Sequence, residues 1–203
     1  MSTKRRGSIT LAEHDAVLKA EGRYEEIKEL HRRQQEERER LWAEWSRAEQ
    51  PLVEALKAVG LDVNSAWGLL EATKPYPEAV PILLEHFQRP YPDAVREGIA
   101  RALGMPAAKI AWSKILRLYR NEREERAKDG LAVAIAAIAD KDLIEDVIAL
   151  ARDRQIGPSR VLLMRKLSRS RNPKALETLI ELKNDPDLHK EIAIILRQKR
   201  IEN

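Results

Sequence analysis

Basic side chains are the residues of this sequence whose type and spacing point most clearly to chemistry, namely to the binding of phosphates or carboxylates. One set recurs at intervals of 32, 32 and 29 residues and consists of Arg96, Lys128, Arg160 and His189. We favour a structural interpretation of this column, a ladder of ion pairs such as Arg96 with Asp93 or its equivalent in the next unit. The functional alternative is a basic inner surface that binds phosphates or an acidic partner.

A second basic set lies in residues 152–174, which hold eight basic residues and one acidic residue. On a helical wheel Arg165, Lys166 and Arg169 share one arc, so their charges project together. A concentrated positive face attracts polyanions through counterion release, but no interleaved aromatic residues are present for base stacking. The predicted partner-binding surface combines both sets with one further arginine: Arg96, Arg101, Lys128, Arg160, Arg165, Lys166, Arg169 and His189.

Signatures of catalysis and of metal binding are missing from the sequence. The histidines, His14, His31, His86 and His189, lie far apart and outside any HExxH motif. Glycine-rich phosphate loops, nucleophile elbows and cysteines are absent too, so thiolate chemistry is excluded. Carboxylates stand at salt-pair spacing on helix faces, which favours solubility over acid-base catalysis. We therefore predict no catalytic residue, no metal, no cofactor and no enzyme activity.

The elements that must position these side chains are helices. Only 4% of the 203 residues are aromatic, whereas 34% are charged, which is typical of an all-helical chain. The phrase KPYPEAVPILL from Lys74 returns as RPYPDAVREGI from Arg89. Proline followed by an acidic residue favours a helix start. The two phrases therefore predict successive helices at about 77–88 and 92–103.

The apolar positions of the first helix recur every 32 residues over four units. Each unit is therefore one helical hairpin, which must bury its flank against the next hairpin because it cannot enclose a core alone. The three columns are Val80, Trp112, Ile144 and Leu176; Leu83, Ile115, Val147 and Leu179; and Leu84, Leu116, Ile148 and Ile180.

The unit EAVPILLEHF followed by DAVREGIARALG resembles the HEAT repeat family, over about residues 75 to 200. Later units keep the apolar columns but lose the proline of the first helix. The resemblance implies an all-α fold, a right-handed α-solenoid of four to five HEAT-like helical hairpins. Residues 23–49, which are helix-forming throughout and contain no proline or glycine, predict a long N-terminal helix before it. It carries no information about activity.

The predicted order of segments is an N-terminal segment 1–22 that is partly flexible, a long charged helix 23–49, a degenerate repeat 50–74, and four repeats over 75–203. Segments 23–74 and 75–203 are expected to form one continuous domain. Trp42, Trp45 and Trp67 are expected to cap its N-terminal end, and Trp112 is expected in the core. Tyr76 and Tyr91 are expected to pack on the neighbouring prolines, with contact anchors as the alternative.

A protein-binding scaffold, adaptor or inhibitor is the function that these features favour. The alternative is a nucleic-acid-binding or DNA-repair protein, because one family of DNA glycosylases is built from HEAT-like repeats. The net charge of +4 is too small to favour nucleic acid by itself. We expect a cytoplasmic monomer that does not enter a membrane, with dimerisation through the helix 23–49 as an alternative to the monomer.

Overall fold

The computed structural model describes residue 10, residues 17–20 and residues 22–202, with side chains described up to Lys199. Most of the predicted N-terminal segment 1–22 lies outside these residues, as does His14. The chain divides into two compact units, Met1–Glu44 and Trp45–Asn203. This boundary falls inside the long N-terminal helix, whereas the sequence-based boundaries lie at 22 and 49.

The long charged helix, α1, spans Tyr24–Ala48 and contains no buried residue. Of the pairs spaced four residues apart on this helix, that of Glu29 with Arg33 forms at 2.8 Å. The pair of Glu36 with Arg40 does not, because Arg40 bonds Glu37 at 2.7 Å and Glu36 bonds Arg32. The side chain of Trp42, which is expected to cap the N-terminal end, is 70% exposed. The wholly polar middle of this helix leaves it without a continuous apolar face.

The unit that starts at Trp45 is built of successive helices, and the described residues contain no strand, so the all-α prediction is confirmed. Below, a hairpin denotes the two consecutive helices of one sequence unit. Its α-helices are α2 Gln50–Ala58, α3 Ala79–His86, α4 Asp93–Ala102, α5 Trp112–Asn121, α6 Glu125–Ile138, α7 Ile144–Arg152, α8 Met164–Arg169, α9 Pro173–Glu181 and α10 His189–Glu202. Its 3-10 helices are Ala66–Glu71, Pro106–Ala111, Arg154–Ile156, Pro158–Leu163 and Leu182–Asn184.

The repeated phrase opens α3 and α4, one or two residues later than predicted. Asp93 starts α4, but its carboxylate does not cap that helix. Instead it accepts hydrogen bonds from the backbone N–H groups of Arg126 (3.3 Å) and Ala127 (3.0 Å) in the first turn of α6. A carboxylate at a helix N-terminus satisfies unpaired donors and faces the positive end of the helix dipole. Asp93 thus joins one hairpin to the next.

The apolar columns are buried in the first three hairpins and partly exposed in the fourth. Trp112 is 7% exposed, as its column predicts, and its indole N–H donates to Asp146 at 2.6 Å. Leu179 is fully buried, but Leu176 and Ile180 are 43% and 49% exposed. They lie on the last hairpin, where the described residues supply no further hairpin to cover them.

The second helices of consecutive hairpins pack against one another in chain order. The 3-10 helix Ala66–Glu71 contacts α4, α4 contacts α6, α6 contacts the 3-10 helix Pro158–Leu163, and α8 contacts α10. The approach of α4 to α6 is close at Gly130, where an added Cβ would lie 2.8 Å from the Glu97 carbonyl oxygen. Among the described residues, none of the helices combines the length and the apolar composition needed to cross a lipid bilayer.

Candidate functional site

Arg160, predicted as part of a partner-binding surface, is buried, with 1% of its side chain exposed. Its guanidinium donates to the carbonyl oxygens of Ala151 and Gly157, both at 3.0 Å. It also donates to the carboxylates of Asp185 (3.2 Å) and Asp187 (3.1 Å) in the corner of the next hairpin. A guanidinium can be buried when all its donors are satisfied in this way. The surface prediction is therefore wrong for Arg160.

Arg96 has the same kind of partner one unit earlier. Two of its nitrogens donate to Glu122, in the corner that follows α5, and its guanidinium lies 4.6 Å from the centre of the Phe87 ring. Burial raises the pKa of Glu122, but the hydrogen bonds from Arg96 and two backbone N–H groups hold it below its ordinary value. Arg96 thus forms the expected ladder contact, with Glu122 in place of Asp93.

The other members of the repeating column, Lys128 and His189, and the added Arg101 make contacts that differ from those of Arg96 and Arg160. Lys128 is half-buried and lies 5.9 Å from the centre of the Tyr119 ring. Arg101 donates to Glu97 at 2.9 Å and lies 5.7 Å from the Trp67 ring. His189 is exposed, with Nδ1 at 3.0 Å from the Pro186 carbonyl oxygen. These residues therefore do not extend the arginine ladder.

Arg165, Lys166 and Arg169 do come together, as the helical wheel predicts, on the wall of a cavity of about 740 Å³. We call it the cationic cavity. It lies where the end of α6 and the corner after it face α8. Five cationic side chains line it: Lys141, Arg165, Lys166, Arg169 and Arg171. Lys141 was not predicted as part of this surface because it belongs to the preceding hairpin. Arg171 was not predicted because it follows the end of α8.

The floor of the cationic cavity is apolar and is formed by Ala136, Ala137, Ile144 and Leu162. The two alanines lie in the last turn of α6, where their short side chains leave space that larger residues would fill. No aromatic residue lines the cavity. A ligand that fits it therefore needs both negative charge and an aliphatic or other apolar portion.

The carboxylates near the cationic cavity are engaged by other cations. Asp140, the acidic residue in the lining, bonds the ammonium group of Lys109, whose hydrogen bond holds the pKa of that carboxyl below its ordinary value. Glu191 bonds Arg165 at 2.8 Å. Within the described part of the chain, no hydrogen bond or ion pair with a carboxylate is made by four lining residues, which we call the unpaired cluster: Lys141, Lys166, Arg169 and Arg171.

Lys166 is the half-buried member of the unpaired cluster, whereas Lys141, Arg169 and Arg171 are exposed. Burial lowers the pKa of Lys166, and the positive charge of Arg169 lowers it further, against the opposite effect of Asp140. The fold therefore holds this ammonium where its charge is not fully compensated. A bound anion would supply the missing compensation.

The aromatic residues considered for binding have structural roles. Tyr76 is buried and donates to the Ala102 carbonyl oxygen at 3.1 Å. The hydroxyl of Tyr91 lies 2.8 Å from Nδ1 of the buried His86. Trp67 is 40% exposed and packs on Gly98, where an added Cβ would lie 2.6 Å from the indole nitrogen. None of the three lines the cationic cavity.

Comparisons with protein-family models, with curated proteins and with solved structures find no significant match to this chain. Among the described residues, no group of three or more histidine or acidic side chains is arranged to hold a metal ion. The cationic cavity is the candidate functional site because it brings five cationic side chains together, and its charges suit an anionic ligand.

Proposed function

We propose that this protein is a non-enzymatic binding module, a scaffold, adaptor or inhibitor that holds a protein partner. In this proposal its helix pairs form a right-handed α-solenoid of four to five HEAT-like hairpins, and it works as a monomer in the cytoplasm. The 32-residue columns, the chain-order packing of the second helices and the bond from Asp93 to the next hairpin support the repeat architecture.

The unpaired cluster above an apolar floor is the observation that carries this proposal. Like charges that gather without counterions cost free energy, so a fold that keeps them has a use for them outside its own packing. Acidic side chains of a partner would pair with the cluster, and a neighbouring apolar side chain would cover Leu162 and the two alanines, which remain accessible to water. The partner segment is therefore acidic, with at least one apolar residue.

Nucleic acid is the second candidate, and the exposure of Arg169 and Arg171 is the observation that favours it. Lys190, Arg197 and Lys199 add positive charge further along the chain. Steep salt dependence of duplex DNA binding, lost on replacing Arg165, Lys166 and Arg169 by Ala, would support this candidate. Failure to bind duplex DNA at low salt would eliminate it. The apolar floor and the lack of aromatic residues in the cavity favour the protein partner.

The test is affinity capture from a lysate of the source organism, with three forms of the chain as bait. The cavity variant carries Lys166→Gln, Arg169→Gln and Arg171→Gln. The control variant removes the same charge from exposed residues outside the cavity, through Lys57→Gln, Arg117→Gln and Arg120→Gln. Bound proteins are quantified by mass spectrometry with and without nuclease treatment.

A stoichiometric protein that binds the wild type and the control variant, survives nuclease treatment and is lost from the cavity variant is the expected result. Recovery that disappears with nuclease would favour the nucleic-acid candidate instead. Equal recovery by all three baits would show that the cavity does not form the binding site. Sedimentation equilibrium of the wild type measures its state of association. We expect the mass of a monomer. The mass of a dimer would contradict this and favour the alternative of association through α1.

A further inference from the structure

We propose that the anion bound in the cationic cavity is a phosphate monoester on the partner, such as a phosphorylated serine or threonine side chain. This inference rests on the proposed function and makes its partner class more specific. It follows from the charge left uncompensated in the cavity, from the kinds of donor that face it, and from the apolar floor beside them.

The uncompensated charge exceeds what one carboxylate can neutralise. Asp140 is bonded to Lys109, and Arg165 is bonded to Glu191, so four positive charges of the lining have no carboxylate partner among the described residues. A carboxylate supplies one negative charge. A phosphate monoester carries about 1.5 to 2 negative charges at neutral pH and three strong acceptor oxygens. It compensates more of the cluster within the space of one group.

The donors of the unpaired cluster suit a phosphate as well. Arg169 and Arg171 carry planar guanidinium groups, whose parallel N–H donors match two oxygens of a phosphate. Lys166 and Lys141 act as point charges. Lys166 is half-buried, so water screens its charge less than that of a fully exposed lysine. Two guanidinium groups and two ammonium groups thus line one cavity, and the oxygens of a tetrahedral dianion can accept hydrogen bonds from more than one of them.

The apolar floor distinguishes an esterified phosphate from free phosphate. Ile144 and Leu162 lie in the same cavity as the cluster, together with the two alanines of α6. An ester presents carbon atoms beside its phosphate, and these would cover the part of the floor that water still reaches, namely Leu162 and the two alanines. Inorganic phosphate has no such atoms. The site should therefore prefer a phosphate that carries an apolar group.

The test is isothermal titration of the full chain with four small anions: phenyl phosphate, benzoate, inorganic phosphate and diphenyl phosphate. Phenyl phosphate is expected to bind at least about tenfold more tightly than each of the others, since it alone combines a dianion with an apolar group. The cavity variant should lose that binding at least about tenfold, whereas the control variant should stay within about twofold of the wild type. Affinity should also fall as the pH drops below about 6, where the monoester becomes a monoanion.

Three results would overturn the inference. Benzoate that binds as well as phenyl phosphate would show a site for carboxylates. Diphenyl phosphate that binds as well would show a site for diesters, as in a nucleic-acid backbone. Binding that is equal in the wild type and the cavity variant would place the phosphate elsewhere on the chain.

A phosphatase arm of the capture experiment separates this inference from the proposed function. Treating the lysate with phosphatase should abolish recovery of the partner by the wild type. If the partner still binds after phosphatase treatment, and is still lost from the cavity variant, the protein-binding function holds and the phosphate inference fails. If the cavity variant recovers the same proteins as the wild type, both fail.

Discussion

Arg160 and Lys166 lie six residues apart in the same basic stretch, but the fold uses their charges differently. Arg160 is buried and bonded to Asp185 and Asp187 of the next hairpin. Lys166 lines a cavity together with Asp140, whose carboxylate is bonded to Lys109. One cation has its counterions inside the protein, and the other does not.

A positive charge in this chain stabilises the fold where the corner of the next hairpin supplies an acidic residue. Glu122 does this for Arg96, and Asp185 does it for Arg160. Lys166, Arg169 and Arg171 instead face the preceding hairpin, which supplies two alanines, Lys141, and an Asp140 that is bonded to Lys109. Lys166, whose pKa is lowered by burial and by the charge of Arg169, is held there at a cost to the folded state, which is the pattern expected of a binding site.

The largest expected effect comes from removing the buried cation. Arg160→Met should lower the free energy of unfolding by about 3–5 kcal/mol, because it leaves Asp185 buried without its main counterion. The double variant Arg160→Met with Asp185→Leu should recover part of this loss, since it leaves no fully buried carboxylate without a counterion. Urea denaturation measures both. A loss below about 1 kcal/mol for Arg160→Met would show that the pair is not structural.

Acid should break the same pair. Burial raises the pKa of Asp185, but the hydrogen bonds from Arg160 and the Asp187 backbone outweigh it and hold the pKa below 3.8. A carboxyl with a lowered folded pKa stabilises the fold above its unfolded pKa, and this contribution is lost as the pH falls through the folded pKa. The stability difference between the wild type and Asp185→Asn should therefore shrink below about pH 4. A difference that stays constant to about pH 2 would contradict this.

Lys166 should behave in the opposite way. Lys166→Gln is expected to leave the free energy of unfolding within about 0.5 kcal/mol of the wild type or to raise it, since the fold disfavours the charged form. For the same reason the ammonium of the wild type costs stability until the pH rises through its lowered folded pKa, and stability relative to Lys166→Gln should then increase. Denaturation curves from about pH 7 to 10 measure this. A large loss of stability in Lys166→Gln would show that Lys166 stabilises the fold, as Arg160 does.

Arg165 provides a contrast within the cavity lining. Its side chain is 55% exposed and pairs with Glu191, so Arg165→Gln should cost about 0–1 kcal/mol. Because Glu191 already compensates this charge, the same change should weaken binding of phenyl phosphate less than Arg169→Gln does. Titration of the two single variants measures the contrast. Equal losses would show that the bond to Glu191 opens when the ligand binds.

Much of the fold could be predicted from the sequence because its signals are local or periodic. Proline and acidic residues marked the start of α4, and the apolar columns marked residues that are buried in three successive hairpins, Trp112 among them. The exposure of Trp42 could not be predicted in the same way. The apolar residues near it on α1 form a short cluster and not a column that recurs along the chain.

The site was harder to predict because it depends on which residues of different hairpins meet. Arg160 and Arg165 are the same residue type five positions apart, and only the corner at Asp185 makes one of them buried. Arg165, Lys166 and Arg169 could be grouped from their helical spacing. Lys141 could not, since nothing near it in the sequence shows that the corner after α6 faces α8.

The most direct test of this account measures partner recovery and stability on the same cavity variant. We predict that the cavity variant, Lys166→Gln with Arg169→Gln and Arg171→Gln, reduces nuclease-resistant recovery of the partner at least about tenfold. Its free energy of unfolding should stay within about 0.5 kcal/mol per substitution of the wild type. Unchanged recovery by a folded cavity variant would contradict it, because the cations without internal counterions would then have no part in binding.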